Sequence, residues 1–122
     1  MRVLVCGDRY WNDWQYLYDT LDELKDKIDV IIEGEAPGAD TMALRWAKDS
    51  GIPVERYPAQ WDKYGKSAGP IRNKQMLDEG KPDLVIAFHA NISASRGTKN
   101  MISQAQAAGI QVILEPLDAY KA

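Results

Sequence analysis

Five short apolar runs recur along the chain, and they limit the possible folds more than any other feature of the sequence. They read VLVC, VII, PVERY, LVIAF and QVIL, at residues 3–6, 30–32, 53–57, 84–88 and 111–114. The runs are rich in Val and Ile, and several show no alternation with polar residues, which is typical of strands buried on both faces of a parallel sheet. The sequence therefore predicts five strands, most of them parallel.

Apolar residues at helical spacing occupy most of the segments between these runs. Apolar residues three or four positions apart predict three helical faces. These faces are Leu17, Leu21, Leu24 and Ile28; then Ala39, Met42, Ala43, Trp46 and Ala47; then Met101, Ile102, Ala105 and Ala108. A fourth helix is predicted over residues 68–79 from a weaker stripe. Gly51 and Gly109 follow two of the segments, at positions where helices commonly end.

Alternating strands and helices predict an α/β fold, a single Rossmann-like three-layer sandwich. Right-handed crossovers favour an open, mainly parallel five-stranded sheet, for which we predict the order 3-2-1-4-5. The 122 residues suit one domain, 1–122. Ligands of such sheets bind at the carboxyl ends of the strands, beside the switch in strand order. We therefore expect a ligand between the first and fourth strands.

Composition narrows the range of partners. A net charge of -3 provides no basic field for long nucleic acids, although a small anion could still bind in a local basic pocket. Cys6 is the single cysteine, so no disulfide can form within the chain, and a reducing cytoplasm is expected. No segment approaches the ~18 apolar residues of a membrane span, so no membrane partner is expected. His89 is the single histidine and has no second His or Cys to pair with, so no metal site is predicted. No cofactor is expected either.

Three glycine-containing loops should meet at the ligand edge of this sheet: residues 7–13, 33–40 and 89–100. Two of them enter helices directly, through Gly38 and Gly97. A helix start carries free backbone N–H groups and positive partial charge, and a glycine there lets a phosphate approach the backbone closely.

Two polar residues beside these glycines each have two possible roles. Thr98 could cap the last helix or bind a phosphate oxygen. Asp40 could complement the dipole of its helix or accept hydrogen bonds from ribose hydroxyls.

A further stretch, YGKSAGPIRNKQM at residues 64–76, contains Gly-Lys-Ser but is not a P-loop, because Gln60 stands where that motif needs its first glycine. Arg72 and Asn73 should lie at or near the start of a helix. The forked guanidinium of Arg72 could bind a phosphate; alternatively, it is a surface arginine paired with a carboxylate.

Aromatic residues cluster beside the loop at residues 7–13 and at the start of the stretch that follows the third strand. Covering the core is their usual role, but one or two could stack on a nucleobase. The candidates are Tyr10, Trp11, Trp14, Trp61 and Tyr64.

Five blocks of the sequence resemble the small YspA-like proteins of the SLOG superfamily. In order, they are VCGDRYWND, EGEAPGADTMALRWA, YPAQWDKYGKSAGPIRNKQML, DLVIAF and RGTKNMI, and they cover nearly the whole chain. The resemblance implies a Rossmann-like protein that binds a nucleotide or a nucleotide-derived molecule, such as an ADP-ribose-like signal. Superfamily members include the LONELY GUY phosphoribohydrolases and sensors of nucleotide signals. Members often self-associate, so a homo-oligomer is possible.

The resemblance also implies a site, with the Gly97–Thr98 turn as its phosphate-binding element. The full predicted set of ligand-binding residues is Gly7, Asp8, Arg9, Gly34, Glu35, Gly38, Asp40, Arg72, Asn73, Gly97 and Thr98.

One departure from the phosphoribohydrolases bears on catalysis. Those enzymes carry Gly-Gly-x-Gly-Thr-x-x-Glu with a catalytic glutamate, and here the run ASRGTKNM puts Met101 in its place. A thioether cannot act as acid, base or carboxylate nucleophile. We therefore favour a sensor or sequestering protein over an enzyme. One alternative is a hydrolase acting on a nucleotide's glycosidic or phosphate bond through Glu33, Glu35, Asp8 or Asp40. Another is a structural or regulatory module with a vestigial pocket.

Overall fold

The computed structural model describes residues 1–116, which form one sheet of five parallel strands. The strands are β1 (Arg2–Gly7), β2 (Val30–Glu33), β3 (Val54–Arg56), β4 (Leu84–Phe88) and β5 (Gln111–Glu115). Their order is β3-β2-β1-β4-β5. The predicted α/β class, parallel sheet and strand order are therefore confirmed. Residues 117–122 of the predicted domain lie outside the described residues.

Helices and short 3-10 turns connect the strands. The helices are α1 (Trp14–Asp22), α2 (Ala39–Ser50), α3 (Trp61–Tyr64), α4 (Ala68–Gly80) and α5 (Gly97–Ala107). The 3-10 turns are Lys25–Lys27, Gly65–Ser67 and Ile92–Ala94. No helix within residues 1–116 combines the length and the hydropathy that crossing a bilayer requires.

The sheet separates two apolar clusters, which gives the three layers. Val3 and Val5 of β1 pack with α1 and α2 on one face, and Leu4 and Cys6 pack with α4 and α5 on the other. Successive side chains of a strand point to opposite faces, so a strand covered on both sides needs apolar residues at every position. This explains why several of the apolar runs lacked alternation.

The predicted first helix is too long. Its apolar spacing extends to Ile28, but α1 ends at Asp22. Beyond it the Leu24 N–H donates to the Leu21 carbonyl at 3.0 Å and the Lys27 N–H to the Leu24 carbonyl at 2.8 Å. These i→i−3 bonds tighten the chain into a 3-10 turn. Leu24 and Ile28 still pack on the core, but from non-helical backbone.

The predicted helix ends at Gly51 and Gly109 are confirmed. Gly51 caps α2 with φ of 71°, and Gly109 has φ of 76° just after α5. Both values lie in the left-handed region that favours glycine. Each glycine is followed closely by the next strand, so both β3 and β5 start from the same kind of connection.

Candidate functional site

A cavity of about 920 Å³ opens where the strands end. Its walls come from the loops after β1, β2, β3 and β4, from the middle of α4 and from the start of α5. All but one of the predicted ligand-binding residues border it. Those that do are Gly7, Asp8, Arg9, Gly34, Glu35, Asp40, Arg72, Asn73, Gly97 and Thr98.

Gly38 is the exception, and its role is to bring two loops together. It has φ of 76°, and a Cβ added to it would overlap the backbone of Asp8 and Arg9. The neighbouring Ala39 N–H donates to the Asp8 carbonyl at 3.2 Å. Gly7 is restricted in the same way, since a Cβ there would overlap the Phe88 carbonyl. Both glycines are required by the packing of the loops, whether or not a ligand is bound.

Asp40 organises the loop between β2 and α2. Its side chain is buried, and Oδ2 accepts hydrogen bonds from the N–H groups of Gly34 at 3.1 Å and Ala36 at 3.2 Å. Burial raises the pKa of Asp40 to about 6, although these N–H groups and Arg72 act in the opposite direction. Asp40 therefore supports the loop and also presents a carboxylate at the cavity wall.

Arg72 reaches from α4 to the same loop. Its Nη1 donates to the Gly34 carbonyl at 2.5 Å, and its Nε donates to Asn73 Oδ1 at 3.0 Å. Within residues 1–116 no carboxylate lies at ion-pair distance from its guanidinium. The alternative of an ion-paired surface arginine is therefore wrong for the described part of the chain.

Asn73 ties α4 to the start of α5. It is buried, and its Nδ2 donates to the Gly97 carbonyl at 3.3 Å and to Asn100 Oδ1 at 3.1 Å. Its own Oδ1 is occupied by Arg72. Both polar ends of this side chain are thus engaged within the protein, and Asn73 holds Arg72 and Gly97 in fixed relation to each other.

The start of α5 faces the cavity with little covering it. Gly97 is exposed, and a Cβ built on it would meet nothing within 4 Å. The Thr98 N–H donates to Ser95 Oγ at 3.0 Å, so Ser95 provides the side-chain cap. Thr98 lies inside the first turn, buried and bordering the cavity, and not at the cap that was one of its two predicted roles.

Glu33 does not border the cavity, which weakens its candidacy as a catalytic base. It is fully buried, with Oε2 accepting the Glu35 N–H at 2.6 Å and Oε1 3.4 Å from Arg56 Nε. Among the described residues Oε1 has no hydrogen-bond partner. Burial raises the pKa of Glu33 to about 7. Glu35 does border the cavity, with φ of 58° and an ion pair to Arg56 at 2.6 Å.

Several cavity residues were absent from the predicted set. Arg96 adds a third arginine beside Arg9 and Arg72, and its position next to Gly97 was the available signal. His89, which directly follows β4, is buried at the cavity, and its Nδ1 accepts the Asn91 N–H at 3.1 Å. In the neutral imidazole this bond leaves the proton on Nε2. Within residues 1–116 no three His, Cys, Asp or Glu side chains cluster closely enough to hold a metal ion.

The aromatic candidates divide by position. Tyr10 and Trp61 border the cavity, whereas Trp11 packs on Phe88 with ring centroids 5.6 Å apart. Trp11 is therefore a cover for the core, which is the usual role of such residues.

Comparison with known proteins agrees with this architecture. The X-ray structure of DNA processing protein A (DprA) from Streptococcus pneumoniae has the same fold, with a TM-score of 0.75 over 97% of this chain at 20% identity. This chain spans about half of that structure, 52%. The Gene 61 protein of Mycobacterium phage D29 is 40% identical over 120 residues, which cover 92% of this chain and 94% of that protein. The model of the YspA, cpYpsA-related SLOG family matches residues 1–64. The chain therefore belongs to the YspA, cpYpsA-related SLOG family.

Proposed function

We propose that this protein binds a nucleotide or a nucleotide-derived small molecule in the cavity and acts as a sensor or a sequestering protein. The phosphate of the ligand lies at the start of α5, where the first-turn N–H groups have no intrahelical acceptors. Family membership supports a nucleotide-related role.

The observation that carries the proposal is an imbalance among the charged groups of the cavity. Arg9, Arg72 and Arg96 border it, and within residues 1–116 none of them is paired with a carboxylate. The carboxylates, in contrast, are engaged. Asp8 accepts the Tyr10 N–H at 2.9 Å, Asp40 accepts two backbone N–H groups, and Glu35 is paired with Arg56. Three guanidinium groups that lack a carboxylate partner, close to a helix start, favour an anionic ligand.

Gly97 supports the same placement of the phosphate. Its φ is ordinary, and the space beside it is open, so no packing within the described residues requires a glycine there. Close approach of a ligand to the backbone is a reason for glycine that does not depend on packing.

The test is a thermal-shift and calorimetric screen with AMP, ADP, ADP-ribose and 3′,5′-cyclic AMP. A ligand at ~100 times its Kd should add about 2.7 kcal/mol to the free energy of unfolding. We expect Arg9→Ala, Arg72→Ala and Arg96→Ala each to weaken binding by roughly 1.5 to 3 kcal/mol, the usual worth of a charge-assisted hydrogen bond.

Arg45→Ala is the matched control, because Arg45 lies on the exposed face of α2 and pairs with Asp49 at 3.6 Å, away from the cavity. The proposal fails if no compound in the screen raises the melting temperature. It also fails if the three cavity variants bind as tightly as Arg45→Ala.

One observation favours a hydrolase as a second candidate. Asp40 borders the cavity with a pKa raised to about 6, which would suit a general base near neutral pH. Glu33 is enclosed, and Met101 stands where the phosphoribohydrolases of the superfamily carry glutamate. Steady conversion of a nucleotide at many turnovers, abolished by Asp40→Asn, would put the enzyme first; recovery of unaltered ligand would favour the sensor.

We extend the proposal to the surroundings of the protein. The lone cysteine supports a reducing, cytoplasmic location, and the net charge of -3 disfavours long nucleic acids as partners. Self-association, which the superfamily resemblance suggested, would be measured by size-exclusion chromatography with light scattering, with and without ligand.

A further inference from the structure

Two aromatic side chains border the cavity although they remain largely exposed. Tyr10 is 78% exposed and Trp61 is 58% exposed. Large aromatic rings normally bury most of their surface, so two solvent-facing rings at one cavity leave apolar area that a ligand could cover. The cavity therefore offers both ionic and apolar contacts.

The apolar contacts lie on the wall formed by the segment between β3 and α4. Pro58, Ala59 and Trp61 border the cavity there. The indole of Trp61 packs against Gly69 of α4. Its Cη2 lies 3.5 Å from the position that a Cβ on Gly69 would occupy. The ring thus rests on the first turn of α4. The wall at the start of α5 differs in chemistry, since Ser95, Gly97 and Thr98 form it.

A short path of contacts relates these two walls. Gly69 and Asn73 are one turn apart in α4, about 6 Å along the helix axis. Asn73 Nδ2 in turn lies 3.3 Å from the Gly97 carbonyl oxygen. The Trp61 ring and the start of α5 therefore contact α4 within about one turn of each other. Because both walls border the same cavity, one ligand could contact both of them.

Tyr10 supplies a second ring, from the loop after β1. The Arg9 guanidinium lies 5.6 Å from its ring centroid, a cation–π contact that holds one face of the ring. Most of the ring stays exposed despite this contact, so a planar group could stack on it.

We propose that Trp61 and Tyr10 form a stacking subsite for the nucleobase of the ligand. This inference rests on the proposed function, and it names the part of the ligand that the apolar wall recognises. The base stacks on the Trp61 indole, with Tyr10 as a second ring, while the phosphate lies at the start of α5. Stacking tolerates any base because every base has a π-face. The subsite therefore distinguishes nucleotides from sugar phosphates and inorganic anions.

The test compares ADP with inorganic pyrophosphate, which has the phosphates without the base. We expect Trp61→Ala and Tyr10→Ala each to weaken ADP binding about 5- to 150-fold, the range found for loss of one base–aromatic stack. Pyrophosphate binding should not change in Trp61→Ala, and Trp61→Phe should restore most of the ADP affinity. Trp14→Ala is the matched control, because Trp14 is 45% exposed but does not border the cavity.

Tryptophan fluorescence provides a second readout. ADP should quench the tryptophan fluorescence of the native protein, and pyrophosphate should not. The quenching by ADP should persist in Trp14→Phe and disappear in Trp61→Phe.

The outcomes separate the two proposals. Native-like ADP affinity in both alanine variants would overturn the stacking subsite while leaving nucleotide binding intact. Equal loss of ADP and pyrophosphate binding in Trp61→Ala would overturn it as well, since the ring would then act on the phosphate end. Failure of the native protein to bind either compound would overturn both the subsite and the phosphate site on which it rests.

Discussion

The carboxylate of Glu33 lies at the end of β2 and has no solvent-exposed surface. Its burial raises the pKa from an ordinary 4.5 to about 7. The protonated form is therefore favoured by the fold, and ionisation costs stability. That stabilisation is fully present below pH 4.5 and is lost as the pH rises through about 7. The difference between the two pKa values corresponds to about 3 kcal/mol.

We expect Glu33→Gln to remove this dependence. A glutamine can still accept the Glu35 N–H, and it carries no charge to bury. Between pH 5 and pH 8 the free energy of unfolding should therefore fall less in the variant than in the native protein, by about 2.5 kcal/mol. Urea unfolding of both proteins at pH 5 and pH 8 measures these free energies. Parallel stability curves for the two proteins would contradict the expectation.

Residue-scale geometry is also where the sequence was least informative. The glycines of the loops could be predicted because their positions follow from the strand ends. The partners of Glu33 and Asn73 could not, since both are set by elements distant in the chain. Arg56 of β3 meets Glu33 of β2, and Asn73 of α4 meets Gly97 of α5. A polar residue beside a predicted site can thus be a ligand contact or an internal brace, and sequence spacing does not separate the two.

At the scale of elements, the start of α5 is the part of the fold at which we propose that the phosphate binds. The strands and their order were predictable because apolar runs mark them directly. The end of α1 was not, because Leu24 and Ile28 continue the helical spacing while the backbone turns to 3-10 bonds. The beginning of α5 was predictable from Gly97 and Thr98, but its capping by Ser95 was not. Helix existence follows from periodicity, and helix ends depend on individual hydrogen bonds.

Gly97→Val tests the start of α5 directly. Because an added Cβ would meet no atom within 4 Å, we expect the variant to fold with a melting temperature close to that of the native protein. The side chain would stand in the space proposed for the phosphate, so binding of phosphorylated ligands should be lost. Ser103→Val, an exposed substitution on the same helix, should bind normally. A folded Gly97→Val protein that binds ADP at native affinity would place the phosphate elsewhere.

For the molecule as a whole, the cavity lies where the strand order switches, between β1 and β4. The chain runs outward from β1 to β3 on one side and from β4 to β5 on the other, so the loops after β1 and β4 diverge and leave a crevice. Asp40 borders that crevice, and it interacts electrostatically with Arg72, Cys6 and Glu33. The protonation of Asp40 is therefore linked to the charges that surround it and, if the proposed ligand binds there, to the affinity for that ligand.

This linkage predicts how ligand affinity depends on pH. If ribose hydroxyls donate to Asp40, the bound ligand favours the ionised carboxylate and lowers its pKa from about 6. Affinity should then be highest well above pH 6 and decline as the pH falls through it. ADP-ribose is the suitable probe, because its diphosphate is esterified at both ends and has no group of its own that titrates near pH 6. Calorimetry from pH 5 to pH 8 should show the decline in the native protein and a flat profile in Asp40→Asn, whose amide oxygen can still accept the Gly34 and Ala36 N–H groups. The same decline in both proteins would remove Asp40 from the ribose contact, because the titrating group would then be another.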